Sequence, residues 1–239
     1  MGIQGFSLKI FADGADLENI ISLNSNQLIS GFTTNPTLMR KFGVSDYEDF
    51  SRKVLLEVTN KPVSLEVFAD DLDEMEKQAR VISSWGENVF VKIPVTNTKG
   101  VFTGEIIRRL SEDGVKLNIT AIFDLEQVED VVNSLCSESE SIISIFAGRI
   151  ADTGRDPIPH MKKAKGLMSS LPYSQLLWAS PREVLNIYQA EECGCDIITV
   201  TDDLLSKLSL SGKSLKEYSL ETVCMFYNDA VKSKFNIEV

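Results

Sequence analysis

Eight times along the 239-residue chain, a short run of β-branched and apolar residues is followed by a longer stretch whose apolar residues recur every three or four positions. The short runs are 8–12 (LKIFA), 31–35 (GFTTN), 62–67 (PVSLEV), 89–95 (VFVKIPV), 116–123 (KLNITAIF), 142–148 (IISIFAG), 175–180 (QLLWAS) and 196–201 (DIITVT). Amphipathic stretches such as 47–58, 72–85, 103–114 and 125–135 lie between them. Gly31, Gly86, Gly114 and Gly194 sit just before strands, where helix caps and αβ turns want glycine. Strands alternating with helices make a parallel sheet. Eight such units predict a closed α/β architecture, a (β/α)8 TIM barrel, rather than an open doubly wound sheet with a Gly-rich phosphate turn. Neither GxGxxG nor GxxxxGK[ST] occurs in the sequence. The whole span 1–239 reads as a single domain, of which 215–239 is a C-terminal helical extension. In that extension 219–235 carries Val223, Phe226, Tyr227 and Val231 at helical spacing. Such a face either packs across one barrel end or docks on a second copy, so a homo-oligomer is expected.

Charge narrows the partners. Asp and Glu total 35 against 24 Lys and Arg, a formal net charge of −11, which disfavours diffuse attraction to nucleic acid or an anionic membrane. Any anionic ligand must be held by locally placed arginines. The single histidine, His160, leaves no Ser-His-Asp triad or His-rich metal site to consider. Cys193-Gly-Cys195 is too closely spaced for a zinc knuckle, and the four cysteines read as reduced thiols. MGIQGFSLK has no apolar leader region, and no run approaches a membrane span; a cytoplasmic protein is expected.

Within 89–95, one position breaks the apolar rule: Lys92 stands among Val89, Phe90, Val91, Ile93 and Val95. Residues two apart on a strand share a face, and in a parallel barrel the C-terminal strand ends converge on one site. By that parity Asn118 shares a face with Thr120, Ser144 with Phe146, and Trp178 with Ser180 and Arg182. Asp13, Thr33, Asn35, Glu66 and Lys92 join them, so each strand from the first to the seventh directs a polar group inward. Taken singly, each is accommodated as a hydrogen-bonded core residue or an edge charge. Together they point to a ligand, because burying unpaired polar groups is costly. A lysine stripped of water favours its neutral amine, a nucleophile for a carbonyl carbon, which makes Lys92 a Schiff-base candidate. Asp13 and Glu66 can divide the acid and base steps. Thr33, Asn35, Asn118, Thr120 and Ser144 suit a polyhydroxylated sugar. Arg149 and Arg182, with Ser180, suit a phosphate, although either arginine can instead pair with Asp152, Asp156 or Glu183.

The segments 31-GFTTNPTLM-39, 91-VKIPVT-96, 118-NITAIF-123, 143-ISIFAGRI-150 and 179-ASPREVL-185 resemble, in order and spacing, those of the transaldolase family, which includes the fructose-6-phosphate aldolases. The match runs from about Lys9 to Leu208. The resemblance implies a class I aldolase barrel without metal or organic cofactor. It also implies that Lys92 is the Schiff-base lysine, that Asp13 is the acid/base at the cleaved bond, and that Glu66 and Thr120 flank a water. Asn35, Asn118 and Ser144 match groups around the dihydroxyacetone portion, and Arg149, Ser180 and Arg182 match phosphate-binding residues. Transaldolases carry Glu and Phe where the aldolases carry Gln and Tyr, and here those positions are Glu66 and Phe146. The implied activity is transfer of a dihydroxyacetone unit from fructose 6-phosphate or sedoheptulose 7-phosphate to erythrose 4-phosphate or glyceraldehyde 3-phosphate, as in the pentose phosphate pathway. Alternatives are an aldolase releasing dihydroxyacetone, an enzyme for a specialised sugar, or a non-catalytic sugar-phosphate-binding barrel.

Overall fold

The structure is a computed structural model that describes residues 5–237. Residues 1–4, part of the N-terminal stretch read above for a leader, and 238–239, at the end of the expected extension, lie outside the described residues. Eight parallel strands close into a barrel in chain order: β1 Lys9–Asp13, β2 Ile29–Thr33, β3 Val63–Glu66, β4 Val89–Pro94, β5 Leu117–Ile122, β6 Ser141–Ile145, β7 Ser174–Trp178 and β8 Ile197–Val200, with β8 pairing back onto β1. The helices are α1 Leu17–Asn24, α2 Pro36–Lys41, α3 Tyr47–Glu57, α4 Leu72–Ser83, α5 Gly104–Glu112, α6 Leu125–Ser134, α7 Ala147–Asp152, α8 Ile158–Leu167, α9 Leu185–Glu192, α10 Asp202–Lys207 and α11 Leu215–Lys232. The (β/α)8 barrel expected from the eightfold alternation is what the chain forms.

Strand parity sorts the core into two bodies. Outward-facing residues such as Val91, Ile93, Ile119, Ile143 and Leu176 merge with the helix faces into one large cluster, while Phe11, Phe90, Ile142, Leu177, Ala179 and Ile197 form a separate cluster inside the barrel. Gly31 lies within β2, not in a turn as its position before a strand suggested. A Cβ there would stand 2.5 Å from the Phe11 ring, so the glycine makes room for the interior aromatic. Gly114 and Gly194 do close left-handed turns, at φ of +78° and +72°.

Other expectations are corrected. Strand β2 stops at Thr33, because Asn35 takes extended backbone and caps α2, its side chain accepting from Leu38 N at 2.9 Å. Strand β6 stops at Ile145, and 147–148 of the expected strand open α7. The polar stretch 149–166 comprises the rest of α7, a short connection and most of α8, with Lys162 and Lys165 paired to Glu192 and Asp196. Helix α11 starts at Leu215, capped by Ser214, which accepts from Glu217 N. It does not pack across a barrel end: none of its described residues is buried, and Leu215 and Phe226 are 84% and 63% exposed. Among the described residues, no helix is long and apolar enough to cross a membrane.

Candidate active site

At the C-terminal mouth of the barrel lies a cleft of about 590 Å³, a volume suited to a sugar phosphate, and Lys92 lies within it. Register makes the site's first contact, since Glu66 on β3 is the direct neighbour of Lys92 on β4. The Lys92 Nζ donates to the Thr34 carbonyl at 2.7 Å and lies 3.4 Å from Glu66 Oε1. Glu66 Oε2 accepts from the Thr34 hydroxyl at 2.9 Å, and Tyr47 on α3 donates to the Glu66 carbonyl at 2.9 Å.

A second group surrounds Asp13 at the end of β1. Its Oδ1 accepts from the Thr33 hydroxyl at 2.8 Å, and Asn35 Nδ2 reaches its Oδ2 at 3.2 Å. Thr33 Oγ1 also lies 2.5 Å from Thr199 Oγ1. Because Thr33 gives its one proton to the carboxylate, Thr199 supplies the other bond as donor. Beneath the cleft, Ser144 donates to Asn118 Oδ1 at 2.6 Å and Asn118 Nδ2 to Ser64 Oγ at 2.9 Å, tying β6, β5 and β3 together. The Thr120 hydroxyl, also facing the cleft, is buried and without a hydrogen-bond partner.

Burial pushes both carboxyls above the ordinary carboxylate range. For Asp13 the Lys92 ammonium opposes this most, followed by the bonds from Thr33 and Asn35. For Glu66 the same ammonium and the Thr34 hydroxyl oppose it, while the Asp13 charge adds to the rise. One cation thus sits among two carboxyls that are both biased toward holding a proton, an arrangement suited to proton transfer.

The rim carries the anion-binding candidates. Arg149 stacks its guanidinium 4.8 Å from the Phe146 ring centroid, and Phe146 in turn packs against Phe123. Arg182 lines the cleft beside Ser180 and pairs with Asp152, one of the acids named as its alternative partner. Both of those side chains are about half exposed, so the pair is weak and yields readily to a stronger anion. Ser180 has φ of +60°, and Ala121, across the cleft, has φ of +61°. Such backbone costs on the order of 1–3 kcal/mol in non-glycine residues and collects at functional sites. Gly148 fits against this bend, since a Cβ there would fall 1.6 Å from the Ser180 carbonyl oxygen.

The structure therefore brings Asp13, Thr33, Asn35, Glu66, Lys92, Thr120, Ser144, Phe146, Arg149, Ser180 and Arg182 to one cleft. Asn118 is fully buried behind the lining, its amide occupied by Ser64 and Ser144. Parity fails on β7: Trp178 points into the helix layer, while Leu177 and Ala179 face inward. Ser180 reaches the cleft only because its left-handed backbone breaks the alternation. Thr199, Thr201 and Asp203 also line the cleft and were missed. Carrying the two-residue rule onto the eighth run finds Thr199 and Thr201.

A family model described as transaldolase/fructose-6-phosphate aldolase matches residues 10–237. A probable transaldolase of Dehalococcoides mccartyi is 35% identical over 84% of this chain and 90% of its own. Others from Methanococcus maripaludis and Streptococcus equi subsp. zooepidemicus are 34% and 31% identical, with coverage of 84% of this chain and 89% and 90% of theirs. Among solved structures, a dihydrodipicolinate synthase from Rhodopseudomonas palustris aligns with 97% of this chain and 82% of its own at 12% identity and a TM-score of 0.47, a likeness too weak to bear on function.

Proposed function

The chain belongs to the transaldolase/fructose-6-phosphate aldolase family, and we propose that it is a transaldolase moving a three-carbon dihydroxyacetone unit from a ketose phosphate to an aldose phosphate. The observation that carries this reading is the Lys92 amine inside the barrel, with Glu66 at 3.4 Å and Asp13 coupled to the same charge. In the proposed reaction the amine adds to the ketone carbon of fructose 6-phosphate or sedoheptulose 7-phosphate. The ketone oxygen leaves as water, taking one proton from the nitrogen and one from an acid. Glu66 delivers that proton, with the unpartnered Thr120 hydroxyl holding the departing water. The protonated imine then withdraws electrons while Asp13 takes the proton of the hydroxyl beyond the breaking carbon–carbon bond. The aldose leaves, and the enamine adds to erythrose 4-phosphate or glyceraldehyde 3-phosphate by the reverse steps.

Thr33 and Asn35 hold Asp13 for this task, and Asn35 and Ser144 form the wall around the dihydroxyacetone hydroxyls, with Asn118 behind them bonded to Ser144. Phe146 closes that wall and supports Arg149, which with Ser180 and Arg182 takes the phosphate. Glu66 and Phe146 stand where the resemblance puts transaldolase rather than aldolase residues. Such a reaction belongs to the pentose phosphate pathway. A second copy of the chain is the proposed cover for the apolar face of α11 around Met225, Phe226 and Tyr227, and light scattering on a Phe226→Asp variant should show a smaller assembly. The function is tested by a coupled transaldolase assay on wild type beside Lys92→Ala: turnover that requires both donor and acceptor, and vanishes in the variant, supports it. Donor cleavage independent of acceptor would instead make the protein an aldolase.

A further inference from the structure

Strand alternation turns Thr34 away from Thr33 and from the barrel axis, yet it touches both reactive groups of the site. It is fully buried. Its carbonyl is the nearest acceptor to the Lys92 Nζ, at 2.7 Å against 3.4 Å for Glu66. Its hydroxyl lies 2.9 Å from Glu66 Oε2 and 3.0 Å from the Ser64 carbonyl. A hydroxyl has one proton, and the buried carboxylate is the stronger acceptor, so the charge-assisted bond to Glu66 takes it. The terminal torsion of a glutamate is intrinsically broad. A donor locked onto Oε2 removes that freedom and leaves Oε1 alone facing the amine.

We propose that Thr34 is a positioning residue: its hydroxyl fixes the plane of the Glu66 carboxylate so that Oε1 exchanges protons with the Lys92 nitrogen and the ketone oxygen, while its carbonyl accepts from the N–H that the protonated imine retains. The assignment rests on the Schiff-base reading of Lys92. It adds a residue on the far side of the carboxylate, outside the cleft lining, and it explains how a glutamate beside a reacting lysine keeps one orientation through the cycle.

Thr34→Val deletes the donor while keeping shape and the main-chain carbonyl, and Thr34→Ser restores the donor. The Val variant should lose about tenfold to a hundredfold in kcat, with KM for fructose 6-phosphate within about twofold. Because a carboxylate that loses a donor binds its proton more tightly, the alkaline limb of its kcat profile, where Glu66 gives up the proton it must deliver, should move to higher pH. The Ser variant should return both properties to near wild type. A Val variant with unchanged kcat and an unmoved limb overturns the proposal, as does a Ser variant that recovers neither. If Thr34→Val does not fold, Thr34→Cys, close in size and only a weak donor, is judged by the same outcomes. Should the wild type turn over no ketose phosphate, the transaldolase reading falls, and Thr34 is then decided by ¹³C NMR of the Glu66 carboxyl. An upward move of its titration in the donor-deleted variant upholds the bond, and an unchanged titration removes it.

Discussion

Four strands change character within a single two-residue step. Phe11 gives way to Asp13 on β1, Phe90 to Lys92 on β4, Ile142 to Ser144 on β6 and Ile197 to Thr199 on β8. In each case the two side chains share the inner face, about 6.6 Å apart along the strand. The lower layer is an apolar plug, fitted closely enough that Gly31 must lack a side chain beside Phe11. The upper layer holds one amine and two carboxyls, each fixed by its own hydrogen bonds. The division separates an apolar floor from a polar chamber stacked on the same strands: the floor supplies rigidity and dryness, and on the proposed function the chamber supplies proton traffic. Substitutions in the two layers should therefore fail in different ways.

The largest effect expected is at Lys92. Lys92→Ala should lower turnover by at least about a thousandfold while the far-UV circular dichroism stays that of a folded barrel. In the lower layer, Phe11→Ala should cost about 3–5 kcal/mol of stability in denaturant titrations, yet leave kcat per folded molecule within a few fold. If the floor variant lost activity while fully folded, or the chamber variant simply unfolded, the two-layer account would be wrong. At the rim, Arg149→Ala should raise KM for a phosphorylated donor about tenfold to a hundredfold and leave kcat nearly unchanged, since the phosphate is remote from the bond that breaks.

The smallest effect is a pH dependence of stability. Burial raises the Asp13 carboxyl above its unfolded value, so between the two values the folded chain binds more protons than the unfolded one, and stability falls as pH rises through that window. Asp13→Asn removes this ionisation. The variant should melt higher than wild type at neutral pH and lose that advantage below about pH 4, where both states of wild type are protonated. An advantage independent of pH would show that the chamber carries no such electrostatic cost.

Much of this was legible in the sequence for a plain physical reason: strand and helix periods differ, and eight alternations leave few architectures. Lys92 stood out because a cation in an apolar strand has to be explained. What escaped depends on information that a period does not hold. The Glu66–Lys92 contact follows from β3–β4 register, which no single run specifies. Asn35 ends as a helix cap and not a strand residue, and Gly31 serves packing and not a turn. Two-residue parity puts Trp178 on the face of Ser180, and that parity fails because Ser180 adopts a left-handed backbone. Thr34 was invisible for the same kind of reason, since alternation sends it outward and only the chain's turn after β2 returns its hydroxyl to Glu66.

Schiff-base chemistry at Lys92 comes down to one covalent bond. Wild-type protein incubated with fructose 6-phosphate, reduced with borohydride and mapped by peptide mass spectrometry should carry a single sugar-derived adduct on Lys92 and on no other lysine. Sustained turnover with Lys92 unmodified, or with the adduct on a lysine outside the barrel, would contradict it.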